Sequence, residues 1–301
     1  MPETILVTGA TGTVGRHLVR ELVAAGVRPR ALVRDQARGR ELFGSDVDLA
    51  VGDFTDPATV RAAMTDVHRL FLACGNTADQ VESECAAIDA ARATGIRRVV
   101  KLSARGADRA AKPTFWRRHA AVEAHLAASE LPATVLRPSF YMSNLFAAAT
   151  PLRDHGVLPA PVGTAAIAMI DPADIAAVAA ALLLAATIEP GTVELTGPDS
   201  LTYHHAAHHL TTLTGRPITY TDIPPEAAAQ AMIADGIPAP AADQILEIFA
   251  ALRHHAHTPT NNQVQHWTGR PARTLMDFLE THAAVFAPHR PGARDRDVLG
   301  V

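Results

Sequence analysis

The apolar triplet Ile5-Leu6-Val7 runs into Thr8 and then into three glycines at three-residue steps, Gly9, Gly12 and Gly15. An amphipathic stretch follows. Val14, Leu18, Leu22 and Val23 lie on one helical face, and Arg16, Arg20 and Glu21 on the other. A strand, a glycine turn and a helix N-terminus together make an anion site. The first N–H groups of the helix have no partner inside it, and the helix dipole is positive there. In this setting Gly9 serves the tight turn, Gly12 lets a pyrophosphate approach the backbone, and Gly15 lets helix and strand pack closely. Thr11, Thr13 and Val14 complete the same cradle. The run predicts a bound dinucleotide, with an ordinary glycine-rich β–α turn as the alternative.

The second strand refines that ligand. Arg30 to Val33 is short and apolar and ends in Arg34-Asp35. An acidic residue at this strand end binds the adenosine ribose hydroxyls, whereas an arginine suits a 2′-phosphate. Arg34 comes first, and Arg38 stands one turn later, so NADP(H) is expected over NAD(H). Otherwise Arg34 is a solvated loop charge and Asp35 caps the next helix.

Strand-like and helical patterns then alternate. Runs at 48–53, 69–73, 98–103 and 133–137 read as strands, and 57–65, 79–94 and 115–129 as helices. Strands spaced by helices mean parallel β-α-β units, hence an α/β fold with a doubly wound parallel sheet of Rossmann type. Ligands in such sheets sit at the carboxyl ends of the strands. Asp53, Phe54, Ala73, Cys74, Ser103 and Pro138 therefore join the cradle as expected cofactor-binding residues, and Tyr141 and Asn144 follow the sixth strand. Residues 155–165, with Pro159 and Pro161, read as a loop. Asp171-Pro172 opens an alanine-rich helix to about residue 186. Residues 192–195 read as a returning strand, and 201–286 as mostly helical with one short strand at 217–220. The expected organisation is a dinucleotide-binding domain (1–154, joined by 167–198), a smaller and mostly helical C-terminal substrate lobe (155–166 and 199–287) and a polar tail (288–301).

Composition narrows the function classes. The chain has 301 residues, of which 48% are hydrophobic, enough for a substantial core. Net charge is −4, with both signs spread and no basic block, so no nucleic-acid partner is expected. No apolar run reaches membrane-spanning length, and the N-terminus enters a strand directly without a signal peptide. Two cysteines, Cys74 and Cys85, make no disulfide framework and are expected reduced, in the cytoplasm. His204, His205, His208 and His209 give two i, i+4 pairs, but no carboxylate pattern accompanies them. They read as a solvated helix face, as do His254, His255 and His257, and no metal is expected.

These residues carry a family resemblance. Gly9 to Gly15, Ala31 to Asp35, Gly52 to Pro57, Val100 to Ser103, Arg137 to Tyr141, Asn144-Leu145 and Asp174 to Ala176 resemble the NmrA-like branch of the atypical short-chain dehydrogenases/reductases. Val193 to Pro198, Thr214 to Pro217 and Thr268 to Pro271 extend the likeness, which covers about residues 4 to 287. The resemblance implies a Rossmann domain binding NAD(P)(H). It spans quinone and small-carbonyl reductases, phenylpropanoid reductases and non-catalytic nicotinamide sensors.

The wider superfamily's catalytic signature is Tyr-x-x-x-Lys on the helix after the fifth strand. The tyrosine donates the proton, and the lysine lowers its pKa and binds the nicotinamide ribose. Here Tyr141, Tyr203 and Tyr220 are followed four residues later by Leu145, Ala207 and Pro224, and the only lysines are Lys101 and Lys112. Phe115 and His119 occupy the equivalent place. A phenyl ring donates no proton. A histidine can hydrogen-bond a ribose and act as an acid near neutral pH. The resemblance makes Ser103 a substrate-orienting residue, with a strand-end hydroxyl near the cofactor as the alternative. Tyr141 is the substitute proton donor, and Asn144 faces the same pocket. The expected function is an NADPH-dependent reductase of a quinone or conjugated carbonyl compound, working without the Tyr-Lys pair on a small, aromatic or quinone-like substrate, with a homodimer allowed. The alternatives are a non-catalytic NADP(H) sensor and a cofactor-assisted isomerase or cyclase.

Overall fold

The computed structural model describes residues 3–187 and 190–287. Strand and helix alternate from the start: β1 (Ile5–Val7), α1 (Gly15–Ala24), β2 (Arg30–Val33), α2 (Gln36–Phe43), β3 (Asp48–Val51), α3 (Pro57–Ala63) and β4 (Arg69–Leu72). The alternation continues through α4 (Gln80–Ala93), β5 (Arg98–Leu102), α5 (Thr114–Ala128) and β6 (Ala133–Pro138). A 3₁₀ helix (Met142–Ala148) leads into α6 (Ala149–His155), β7 (Val157–Ala160), α7 (Pro172–Leu184) and β8 (Gly191–Leu195). Then come α8 (Tyr203–Thr214), β9 (Thr219–Asp222), α9 (Pro225–Ala234), α10 (Ala239–His255), α11 (Gln263–Thr268), α12 (Leu275–Thr281) and α13 (Ala283–Phe286).

Local chemistry sets several helix starts. Asp35, Asp56 and Asp171 each accept a backbone N–H two residues on, and Pro57 and Pro172 stand at the first helical position. Seven parallel strands form one sheet in the order β3-β2-β1-β4-β5-β6-β8, the doubly wound arrangement expected. Helices cover both faces, so the inner strands are apolar on both sides. Alternation assigns the faces. Ile5, Val7, Phe71 and Val100 join the core under α1 and α7, whereas Leu6, Leu70, Leu72 and Val99 join the core under α3, α4 and α5.

The smaller lobe has its own core. Met142, Leu145 and Leu152 pack there with Leu158, Tyr203, Leu210 and Phe278. One expectation is corrected here. The segment read as a loop at 155–165 contains β7, which pairs in parallel with β9, and β9 spans Thr219–Asp222 rather than 217–220. Pro159 suggested a loop, but β7 is an edge strand of a two-stranded sheet, where a missing N–H is tolerated. Buried Leu158 and Ala160 hold it to the lobe. The tail at 288–301 lies outside the described residues.

Candidate cofactor and active site

At the carboxyl end of β1 the backbone turns at Gly9 with φ +59°, the left-handed region that glycine tolerates. The Gly12 N–H closes the turn onto the Gly9 carbonyl at 2.9 Å. A Cβ at Gly15 would lie 2.1 Å from that same carbonyl, so α1 can begin here only with glycine. Thr11, Gly12 and Thr13 are exposed at the tip, while Val14 and Gly15 are buried beneath it. α1 has no side-chain cap and no acidic residue in its first turn. Its positive end is thus uncompensated by its own residues, which fits the diphosphate of a dinucleotide.

Strand order places this turn at the switch point of the sheet, where β1 lies beside β4. Sequence reasoning missed the residue that fixes the junction. The Thr8 hydroxyl lies 3.1 Å from the Phe71 carbonyl and 2.9 Å from that of Ala73, and it accepts the Ala73 N–H at 2.9 Å. A Cβ at Gly9 would come within 3.0 Å of the Ala73 carbonyl, so the two strand ends meet closely. The available signal was a hydroxyl residue closing an apolar strand.

The other expected cofactor residues line the same edge. Arg34 is exposed at the end of β2. Asp35 spends its carboxylate on the Ala37 and Arg38 N–H groups, and Arg38 pairs with Glu41 at 3.1 Å. Asp53 accepts both the N–H and the hydroxyl of Thr55 at 2.9 Å; these bonds, with Arg34 nearby, hold its carboxyl below the usual range. Phe54 is half-buried against the core. Cys74 is half-buried after β4, and burial pushes its thiol up to about 12, so it stays protonated and inert. Pro138 ends β6, its carbonyl taking the Arg105 N–H at 2.9 Å.

α5 carries Phe115 and His119, the residues expected in place of the superfamily's pair. Phe115 and His119 meet edge to face with ring centroids 4.5 Å apart. His119 is only 5% exposed, and its buried Nδ1 has no hydrogen-bond partner. Burial, reinforced by the charge of Lys101, pushes the imidazole well below its ordinary pKa, so it is neutral near pH 7. Ser103 is buried, and its hydroxyl is given to Glu123 of α5. Glu123 also receives Arg137 of β6, through Nε at 3.0 Å and through Nη2. This three-way contact among β5, α5 and β6 was not foreseen.

Tyr141 packs on the other side, against the core under α1 and α7, and its backbone bridges Ile170. Burial raises its phenol, which keeps its proton. Asn144 is exposed one turn later, with its N–H on the Tyr141 carbonyl at 3.1 Å. The structure thus brings the cradle, Arg34, Asp53, Phe54, Ala73, Cys74, Ser103 and Pro138 to one sheet edge, with His119 behind it. Tyr141 packs on the core under α1 and α7, whereas His119 lies on α5. Among the described residues, no group of three or more His, Cys, Asp or Glu could hold a metal ion, and no helix is long and apolar enough to cross a membrane.

A model of the NmrA-like family matches residues 1–280. The chain belongs to the NmrA-like family. Among its relatives, the NAD(P)H azoreductase of Xenophilus azovorans is 36% identical over 282 residues, covering 94% of this chain and 99% of the relative. The (4-alkanoyl-5-oxo-2,5-dihydrofuran-3-yl)methyl phosphate reductase of Streptomyces griseus is 34% identical, again covering 94% and 99%. Among solved structures, the NADPH-dependent quinone oxidoreductase of Escherichia coli complexed with NADPH superposes with a TM-score of 0.84 at 26% identity, covering 92% of this chain and 99% of that one. The NmrA-like assignment agrees with the Rossmann-type sheet and with the position of the glycine turn.

Proposed function

We propose that this NmrA-like chain is an NADPH-dependent reductase of a quinone or similar conjugated carbonyl compound. Its similarity to an NAD(P)H azoreductase, a dihydrofuranone phosphate reductase and an NADPH-dependent quinone oxidoreductase supports the redox reading. The observation that carries the substrate class is on α5. There Phe115 meets a buried, neutral His119, which supports a substrate that needs no tyrosine proton donor on this helix.

NADPH, when bound, supplies the hydride. The chain's residues do the rest. The N–H groups of the Gly9–Gly15 turn hold the diphosphate, and Arg34 pairs with the 2′-phosphate through charge-assisted hydrogen bonds. His119 offers Nδ1 to a ribose hydroxyl. Tyr141 keeps its proton and offers an O–H to the acceptor. A quinone needs little more than this. It takes two electrons and one hydrogen as hydride, and the hydroquinone anion that results spreads its charge over an aromatic ring. Water then supplies the second hydrogen as a proton. Positioning of cofactor and acceptor supplies most of the catalysis.

The test is NADPH consumption against a panel of naphthoquinones, benzoquinones and enones. Oxidation is expected with the quinones, faster with NADPH than with NADH. Tight NADPH binding with no oxidation by any acceptor would sink the reductase reading and leave a sensor.

A further inference from the structure

Helices α9 and α10 form a hairpin whose two ends are stapled together. The chain enters the hairpin after Asp222, the last residue of β9, and leaves it past Arg253, near the end of α10. Arg253 grips both carboxylate oxygens of Asp222, at 2.9 and 2.8 Å. Asp222 also accepts the Gly163 N–H at 3.0 Å and the Tyr220 hydroxyl at 3.3 Å, so the base of the hairpin is fixed to β9 and to the segment after β7. A strap follows, residues 256–262. Ala166 donates its N–H to the Ala256 carbonyl at 2.8 Å, and its carbonyl accepts the Thr258 N–H at 2.9 Å. Arg105, just after β5, donates to the Pro259 carbonyl at 3.0 Å, and the Asn261 N–H reaches the Thr196 hydroxyl, just after β8, at 2.8 Å. The strap thus crosses the carboxyl edge of the sheet.

The hairpin beyond this base is held more lightly. Among the described residues, α9 and α10 bury one side chain each, Ala228 and Ala242, and Ile233 is 48% exposed. The contacts that hold α10 down lie at the site. Phe249 packs on Phe140, just after β6, with ring centroids 5.7 Å apart. Glu247 accepts the Thr114 N–H at 2.6 Å and the Thr114 hydroxyl at 3.4 Å, and Gln244 accepts from Arg118 at 3.0 Å. α5 begins behind Pro113 with no side-chain cap of its own and no acidic residue in its first turn. Glu247 therefore caps α5 from a distant part of the chain, and puts a carboxylate at the positive end of that helix. α10 spans from the start of α5, which carries Phe115 and His119, to the end of β6, beside Tyr141. These are the residues to which the proposed function gives cofactor and acceptor contacts.

We propose that the α9–α10 hairpin is a lid over the acceptor side of the site. It pivots on the Asp222–Arg253 staple and the strap, and Glu247 and Gln244 latch it shut on α5. Opening admits a flat acceptor and releases its product. What passes beneath the lid rests on the reductase reading above; the motion does not. Because Glu247 is the cap of α5, opening leaves the first turn of α5 uncapped, so the hairpin and that turn loosen together.

Amide hydrogen exchange of the chain without ligand reads the motion. In Glu247→Ala the amides of α9 and α10 and those of Trp116 and Arg117 should exchange faster together, by about three- to tenfold, the worth of a helix cap. The amides of Ala166 and Thr258, at the pivot, should keep their wild-type rates. Gln244→Glu turns the contact with Arg118 into an ion pair and should slow the same hairpin amides by about two- to fivefold.

Reduction of menadione, a naphthoquinone, at saturating NADPH reads the gate. Entry beneath a lid that rests closed requires opening, so kcat/KM for the acceptor should follow the exchange rates, rising in Glu247→Ala and falling in Gln244→Glu. A cap that served stability alone would leave kcat/KM unchanged or lower it in Glu247→Ala, and either result overturns the proposal. So does faster exchange that is confined to α5, or that spreads evenly over the whole chain. A wild type that reduces neither menadione nor any other quinone would overturn the reductase reading, and the exchange pattern would still decide whether the hairpin opens as a unit.

Discussion

Gly12 and Gly15 stand three residues apart and are glycine for different reasons. A side chain at Gly15 would strike the Gly9 carbonyl at 2.1 Å, so Gly15→Ala must move backbone. At Gly12 a Cβ meets only that carbonyl, at 3.1 Å, and otherwise points into the open space over the turn. Gly12→Val should therefore keep the melting temperature near wild type and abolish NADPH binding, while Gly15→Ala should lose stability as well, by about 1–3 kcal/mol. Parallel thermal melts and cofactor titrations check this, and unchanged affinity in Gly12→Val would place the dinucleotide elsewhere. Arg34 is the second residue-scale test. Arg34→Asp should weaken NADPH strongly and NADH little; equal losses by titration would remove it from the 2′-phosphate. The place of Arg34 at the end of β2 was legible because a strand end and its spacing from the glycines are local features. Thr8 was not, because its partners, Phe71 and Ala73, lie on another strand.

At the scale of elements, α5 carries His119, to which the proposed function gives a cofactor contact, and Glu123 ties this helix to the sheet. That carboxylate joins Ser103 of β5 to Arg137 of β6, one turn below His119. Glu123→Ala leaves a partly buried guanidinium without its partner and should cost about 1–3 kcal/mol in chemical denaturation. The exposed Arg38–Glu41 pair is the control: Glu41→Ala should change stability by less than about 0.5 kcal/mol. Similar effects from the two would mean that Glu123 does not anchor the helix. The resemblance implied a substrate-orienting role for Ser103, with a hydroxyl near the cofactor as the alternative. Its hydroxyl points into this anchor, which no single segment of sequence displays.

For the whole molecule, the junction of α7 with the segment before α12 has a pH dependence of defined sign. Asp174 is buried and accepts the Arg273 N–H at 2.8 Å, beside the Arg273–Asp171 pair at 3.3 Å. Burial pushes its carboxyl up to about 6. A raised folded-state value means that the native protein holds a proton which the unfolded chain has already released. Asp174 is therefore least costly below about pH 4, and its contribution worsens as pH rises through about 6. Asp174→Asn keeps an acceptor for Arg273 and removes the charge. It should raise the melting temperature by a few degrees above pH 6 and flatten the slope between pH 4 and 6. Melting curves that stay parallel across that range would refute the assignment.

The sequence by itself determined the strand-helix order, the doubly wound sheet, the glycine turn, Arg34 at its strand end and the absence of any tyrosine followed by a lysine four residues on. Each is written in residues a few positions apart, where hydrophobic period, turn geometry and motif spacing act. Only the tertiary structure decided the rest. β7 exists because Leu158 finds Tyr220 across the lobe, against the local signal of Pro159. Lys101 sits in an apolar strand, and only the fold brings Glu84 of α4 opposite it. His119 is neutral because the packing of α4, β5 and α5 removes water from its ring. Partner choice and desolvation depend on which distant surfaces close on one another, and that is settled by burial in three dimensions rather than by any local pattern.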